Sequence, residues 1–223
     1  MAFHRSPKIV TNGIRFYIDA YNIKSYKEGD FFTYNLVDRR TGSELVNGVT
    51  FSENSFIFDG VDSFINVEPT APGEIFTTFE CWFKANTSSS GSSNDRILAG
   101  GFLPGGRSIN YINNRIFVNF GADDGVQSSQ NIELNTWYHL VVMYDVSFSN
   151  SYKIYINAED VSTESTIETK RVSSEKVLGC RYRNIDNYTR FFSGNISQVK
   201  CYNRVLTKKE IKQNFISMKK RYL

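Results

Sequence analysis

The stretch FFSGNISQVKCYNRVLTKKEIKQNF, residues 191–215, carries two periodicities in succession. After Gly194 the side chains alternate. Val199 and Cys201 share one face, while Gln198, Lys200 and Tyr202 share the other, the period of two that a strand imposes. Ile196 is out of phase with Val199, so a bulge is expected between them. At Thr207 the pattern changes. Thr207 and Glu210 have the T-x-x-E spacing of a capping box, whose oxygens serve the first unpaired N–H groups of a helix. Ile211, Phe215 and Met218 then fall at i, i+4 and i+7, one apolar stripe that would lie on a sheet. Lys208 and Lys209 oppose the positive end of the helix dipole, whereas Lys219, Lys220 and Arg221 suit its negative end. The stretch reads as a strand running into a short helix over 207–219.

Upstream, the chain alternates almost throughout. IRFYIDA (14–20) opens the pattern, and SFIFDG (55–60) and SFINVE (63–68) flank a turn at Gly60-Val61-Asp62 and read as a hairpin. In IFTTFECWFK (75–84), Phe79, Cys81 and Phe83 face one way and Glu80, Trp82 and Lys84 the other. RIFVNF (115–120) and KVLGCRY (176–182) are further strands, and YKIYIN (152–157) follows TWYHLVVMYDV (136–146) as in a hairpin. The latter is apolar on both faces, Trp137, Val141 and Met143 on one and Leu140, Val142 and Tyr144 on the other. Such a strand is central and covered on both sides. Polar loops, NTSSSGSSND (86–95), GADDGVQSSQ (121–130) and NIDNYTR (184–190), separate the strands. There is no internal repeat and no linker. The expected fold is all-β: a single domain over 1–223, two packed antiparallel sheets with one C-terminal helix and an N-terminal arm over 1–12.

Aromatics make up 15% of the chain and hydrophobic residues 40%, enough for a sizeable core weighted toward strand formers. A net charge of +3 is too weak to argue for nucleic acid. Cys81, Cys180 and Cys201 match no zinc spacing and each sits in an apolar stretch, so they read as small buried hydrophobes. A Cys180–Cys201 bridge requires those strands to pair. The opening MAFHRSPKIVTNG lacks the apolar segment of a signal peptide, and no run approaches a membrane-spanning length, so no membrane insertion is expected. The expected place of synthesis is a cytoplasm, with assembly into a particle as the route elsewhere.

The ending, with its Gly-x-Ile strand, YNRVL and capped helix, resembles the C-terminal signature of the laminin-G-like (concanavalin A-like) jelly-roll family. FDGVDSFINV (58–67), FTTFECWFK (76–84), NTWYHLVVMYD (135–145) and KIYINAEDV (153–161) are similar to the same family in the same order. GIRFYIDAYNIKSY (13–26) is similar to the segment that opens such domains in many tailed-phage proteins. The resemblance implies a jelly roll, and a non-enzymatic structural protein of a phage virion that decorates the capsid or belongs to the tail or fibre. Its implied partners are other virion proteins, host cell-surface glycan and further copies of itself. The alternatives are a carbohydrate-binding module outside a virion, or a polysaccharide-degrading enzyme. The chain departs from the family at Ala158, where Gly is usual and without which a tight type I′ turn is not expected. Gln198 stands where an acidic residue is common, and DRRTGSELVNG (38–48) replaces a Gly/Asn-rich loop. The last two changes remove oxygen-rich positions that an inherited calcium site would use.

The chemistry-bearing residues are few. Glycoside hydrolysis usually needs two carboxyl groups flanking the scissile bond. The Glu-x-Asp-x-x-Glu pattern of jelly-roll glucanases is missing, and Glu80 stands alone among aromatics as a sheet-face residue, exposed or paired. His139 has no Gly-x-Ser-x-Gly nucleophile elbow to serve and reads as structural. No enzyme is expected. Calcium is the one cofactor with candidate ligands: Asp59 and Asp62 in FDGVD, and Asp123 and Asp124 in ADDG, against the competing reading of Asp-Gly turn chemistry. Sugar binding would combine exposed aromatics with amides and charges. The candidates are Tyr111, Asn113, Asn114 and Arg115, then Tyr182, Arg183, Asn184, Asp186, Asn187, Tyr188 and Arg190, against the reading of a solvated rim loop.

Overall fold

The computed structural model describes residues 7–39, 42–67, 76–88, 96–103, 107–119, 125–145, 151–163, 176–184 and 187–223. One sheet of eight strands is built from β1 (Ile14–Asp19), β4 (Thr50–Ser52), β5 (Ser55–Asp59), β7 (Thr78–Ala85), β12 (Trp137–Asp145), β13 (Ser151–Ile156), β14 (Glu159–Asp160) and β18 (Ser193–Tyr202). Its order is β14-β13-β12-β7-β18-β5-β4, with β1 also paired to β18. The other eight strands are β2 (Phe32–Tyr34), β3 (Gly42–Val46), β6 (Phe64–Val67), β8 (Arg96–Leu103), β9 (Arg107–Ile112), β10 (Arg115–Asn119), β11 (Gly125–Gln127) and β15 (Lys176–Leu178). They run in the order β11-β10-β9-β8-β15-β6-β3-β2. A ribbon of β16 (Arg181–Asn184) and β17 (Asn187–Thr189) stands apart, and α1 spans Lys208–Tyr222. All strand pairs are antiparallel, and the architecture is a β-sandwich closed by a C-terminal helix.

β18 is the axis of the first sheet. It pairs with β7 along its length, and on its other side with β5 over Ser193–Ile196 and with β1 over Gln198–Tyr202. The expected bulge is there, as a register shift between Ile196 and Gln198. Ser197 is the extra residue. Its carbonyl accepts from Ala20 N (2.8 Å) and its hydroxyl donates to Asn54 O (2.7 Å), so it joins the strands on either side of the switch. The slip lets both Ile196 and Val199 enter the core.

Phe79, Cys81 and Phe83 of β7 and Leu140 and Val142 of β12 point between the sheets, toward the side of Leu98, Ile109 and Ile116. Val141, Met143 and Tyr202 point the other way and are covered by Leu206 and Ile211. β12 is therefore apolar on both faces because one face meets a sheet and the other a helix. α1 begins with the expected capping box. Arg204 grips the same Glu210 carboxylate through both oxygens (3.0 and 2.6 Å), and this bond, with the Thr207 contacts, outweighs burial and holds the carboxyl at about 2. Further along, Phe215 and Tyr222 stack on Trp82 at 5.8 and 4.3 Å. Fully burying such a ring contributes roughly 1.5–3 kcal/mol. The N-terminal arm is tied to the same helix: Val10 N donates to Asn214 Oδ1 (2.7 Å), and Gln213 Nε2 to Lys8 O (2.7 Å).

Three expectations are corrected. FIFDG and SFINVE do not pair as a hairpin, because β5 and β6 belong to opposite sheets. Each finds other partners, β5 in β18 and β6 in β3 and β15, and the intervening residues form an arch between layers. KVLGCRY is not one strand. It stops at Leu178, where Gly179 has φ +84° and the place of a side chain is filled by the Phe58 ring. The turn at Asn157-Ala158 is tight after all, with φ +52° and +71°, both in the left-handed region that a type I′ turn uses. Asn157 tolerates that region and exchanges hydrogen bonds with the His139 backbone (2.8 and 3.0 Å), while Ala158 packs on the cluster beneath α1. The pairing of Cys180 with Cys201, open from the sequence, is answered by the sheets: β15 and β18 lie in different ones, so the two cysteines do not face each other. All three cysteines are free and buried.

Candidate functional site

The most concentrated set of charges lies beneath α1. Glu80 on β7, His139 on β12 and Lys200 on β18 occupy neighbouring strands, with His139 paired to Trp82 and Lys200 to Glu80. Lys200 Nζ donates to Glu80 Oε1 (2.7 Å), Asn214 Nδ2 donates to Oε2 (2.6 Å), and His139 Nε2 lies 3.2 Å from Oε1. Burial pushes the Glu80 carboxyl up, but Lys200 and His139 outweigh it and hold the group at about 2. Glu80, His139 and Lys200 are 0% exposed. The arrangement anchors the helix, with Asn214 of α1 held on the Glu80 carboxylate. At its end, Arg221 makes a second bidentate pair with Asp19 (3.0 and 2.6 Å).

The face of the sandwich opposite α1 carries the ribbon β16–β17. Phe64, Val177 and Cys180 form a buried cluster on the outside of the second sheet, and Tyr182, Tyr188 and Phe191 pack on it. Tyr188 stacks on Phe64 at 4.2 Å and meets Tyr182 at 5.6 Å. Asn187 is exposed at the turn, and Arg190 follows in the left-handed region at φ +61°. Tyr182, Asn187, Tyr188 and Arg190 are thus brought to one ribbon. Asn184 belongs to the same ribbon, and Asp186 lies outside the described residues.

Tyr111, Asn113 and Arg115 divide differently. Tyr111 is 0% exposed, in the core between the sheets, with its hydroxyl donating to Asn114 Oδ1 (2.9 Å). It is no part of an exposed platform, because β9 turns this residue inward with Ile109. Asn113 and Asn114 form a two-residue turn at φ +49° and +59°, a conformation Asn tolerates. Arg115 Nε donates to Asn131 Oδ1 (3.0 Å). β15 runs antiparallel to β8, with Leu178 opposite Ala99, and Tyr111 lies opposite Arg96. The Asn113-Asn114 turn and the ribbon therefore share one end of the second sheet, with β8 between them.

The Asp59 carboxylate is used by the arch. Its Oδ1 accepts from the N–H groups of Val61, Asp62 and Ser63 (2.8, 3.2 and 3.1 Å) and from Ser63 Oγ (2.7 Å). Burial raises this carboxyl, the four donors lower it further, and it sits at about 2. An oxygen surrounded by four donors is placed for turn chemistry. Asp62 is exposed, with its carbonyl accepting from Asn47 Nδ2 (3.3 Å). Asp123 and Asp124 lie outside the described residues. Among the described residues no three His, Cys, Asp or Glu side chains group as metal ligands, and no helix is long and apolar enough to cross a membrane.

Sequence reading overlooked the edge of this face. On β2, Phe32 and Tyr34 are 43% and 42% exposed on either side of the buried Thr33. Their alternation was visible in FFTY, but nothing local marks a strand as the last of its sheet.

A family profile described as the concanavalin A-like lectin/glucanases superfamily matches residues 59–212. No curated protein sequence matches the chain. Among solved structures, Trypanosoma rangeli sialidase in complex with sialic acid is similar with a TM-score of 0.68 at 16% identity, over 96% of this chain and 34% of that one. The botulinum neurotoxin serotype C1 binding domain is similar with a TM-score of 0.63 at 14% identity, over 93% and 52%. For the binding domain of Paraclostridial Mosquitocidal Protein 1 the values are 0.58 and 13%, over 92% and 52%. The chain spans about a third of the sialidase and about half of the toxin binding domains, and the likeness is one of fold.

Proposed function

The chain belongs to the concanavalin A-like lectin/glucanases superfamily, and from that premise we propose that it is a non-catalytic domain that binds glycan. The observation that carries the reading is the ribbon on the face opposite α1. Tyr182 and Tyr188 lie 5.6 Å apart beside the exposed Asn187, the mixture of apolar rings and polar groups that suits a sugar. The non-catalytic part is supported by Glu80. It is sealed under α1 and committed to Lys200 and Asn214, where it flanks no glycosidic bond. The fold family alone does not fix activity.

The expected result on a glycan array is selective retention, weakened by Tyr182→Ala, with no reducing sugar released from the retained glycan. Retention indifferent to Tyr182→Ala and to Asn187→Ala would remove the ribbon from the site, and turnover of the glycan would overturn the non-catalytic reading. Tyr182 is the better probe than Tyr188, whose ring also pins the ribbon to Phe64. The setting in the proposal is the particle of a tailed phage, on its capsid or its tail, supported by the similarity of residues 13–26 to the opening segment of such phage proteins. Mass spectrometry of purified particles tests it: many copies per particle fit a shell position, a few fit a tail tip, and absence refutes the setting.

A further inference from the structure

The outer face of the second sheet continues from the ribbon to the sheet edge, and its side chains follow from the register. Phe64 and Val46 are opposite each other under Tyr188. Two residues further along, Asn66 lies opposite Glu44, and Glu44 opposite Phe32. Tyr34 lies opposite Gly42. A Cβ on Gly42 would come within 3.3 Å of Tyr34 Cε1 and 3.4 Å of Phe32 Cδ1, so both rings lean over this glycine. Glu44 is exposed and Asn66 half-buried, and neither side chain has a hydrogen-bond or ion-pair partner among the described residues. The face thus has aromatic side chains at both ends and an uncommitted carboxylate and amide between them.

We propose that Phe32, Tyr34, Glu44 and Asn66 form the floor and far wall of the glycan site, and that the ligand is a neutral saccharide. This rests on the glycan-binding reading above. The row from Phe32 through Glu44 to Asn66 crosses three adjacent strands, about 10 Å. The Tyr188–Phe64 stack begins about 7 Å away along β6. That is room for a short run of sugar rings. Pyranose C–H faces pack on the Phe32 and Tyr34 rings, and vicinal hydroxyls donate to the Glu44 carboxylate and exchange hydrogen bonds with the Asn66 amide. A free carboxylate at the centre disfavours sialic or uronic acids by like-charge repulsion. It also disfavours a protein partner, since the centres of protein interfaces are depleted of charge.

The test is affinity electrophoresis of the full chain through gels containing laminarin, galactomannan or xylan as neutral probes, and polygalacturonate or polysialic acid as acidic ones. Retardation is expected by at least one neutral probe and by no acidic one. Tyr34→Ala and Phe32→Ala should each weaken it at least about ten-fold, as for a central aromatic contact. Both rings are well exposed, so the thermal midpoint should not move. Glu44→Gln should weaken neutral binding and relax discrimination against the acidic probes. Retardation that survives all three substitutions but is lost in Tyr182→Ala would overturn this placement and leave the glycan-binding reading intact. Preference for an acidic probe would overturn the neutral assignment. No retardation by any probe would overturn both. A dimer in light scattering that Tyr34→Ala dissolves, without sugar binding, would assign the ledge to a second copy of the chain instead.

Discussion

Replacing Lys200 by Met should cost far more than the loss of one salt bridge at a surface. Lys200 Nζ is 2.7 Å from Glu80 Oε1, and both groups are without exposure. In the folded chain the Glu80 carboxyl sits at about 2 against an ordinary 4.5. At about 1.4 kcal/mol per unit, that depression amounts to roughly 3 kcal/mol of stability at neutral pH. The sign follows from the direction. A lowered carboxyl stabilises the fold above the unfolded value and loses that contribution as pH falls from about 4.5 toward 2. Lys200→Met leaves a buried carboxylate without its cation, a change that costs about 3–5 kcal/mol and lowers the thermal midpoint by roughly 10 °C. The remaining His139 and Asn214 contacts do not replace a permanent positive charge. In the variant, burial raises the Glu80 carboxyl, so its deficit relative to the parent shrinks on acidification. Adding Glu80→Gln removes the unpaired charge, and the double variant should recover most of the loss. Urea unfolding of the parent, the single and the double variant at pH 7 and pH 4 measures all of this. A single variant as stable as the parent at pH 7, or a double variant weaker than the single, would refute the argument.

Gly194→Ala should destabilise the chain by about 3 kcal/mol or more in the same assay, because a Cβ there would overlap the Lys84 carbonyl oxygen on the neighbouring strand and the Phe192 ring. Ala158→Gly should raise stability by about 1 kcal/mol: it relieves a left-handed alanine at φ +71° and gives up only a methyl packed beneath α1. Asp59→Ala should cost about 1 kcal/mol by orphaning the donors of the arch, with Asp59→Asn milder, and the penalty should fade as pH drops from about 4 toward 2. Stabilisation by calcium that disappears in Asp59→Ala would instead make this carboxylate a metal ligand.

Local features of the fold were legible where the signal and its cause lie close together. The phase slip between Ile196 and Val199 announced the bulge, and Thr207 and Glu210 announced the helix start, because each is decided within four residues. The doubly apolar β12 announced cover on both sides. The arch at Gly60 was misread because alternation on both flanks is the same whether the strands pair or part; the choice depends on β18 and β15, more than a hundred residues away. Tyr111 was misread for a related reason. Tyrosine suits a rim or a core, and only the pairing of β9 turned it inward. The charges under α1 were equally hidden, since Glu80 and Lys200 are 120 positions apart and neither has a local reason to be buried. At the sheet edge, Phe32 and Tyr34 read as ordinary strand residues; their exposure is a property of strand order.

The bond between the arm and α1 makes the chain a loop closed on itself. Gln213 holds Lys8 and Asn214 holds Val10, so segments some two hundred residues apart are fastened at one place. Neither can fray alone, because peeling the arm strips Asn214 of the Val10 amide, and lifting the helix leaves the arm without its seat. The usual weak points of a folded domain thereby become a single joint that opens or stays shut as one. Because that joint lies across the sandwich from the ribbon and the Phe32–Tyr34 edge, a tether or fusion entering at the joint would leave the outer face of the second sheet unobstructed.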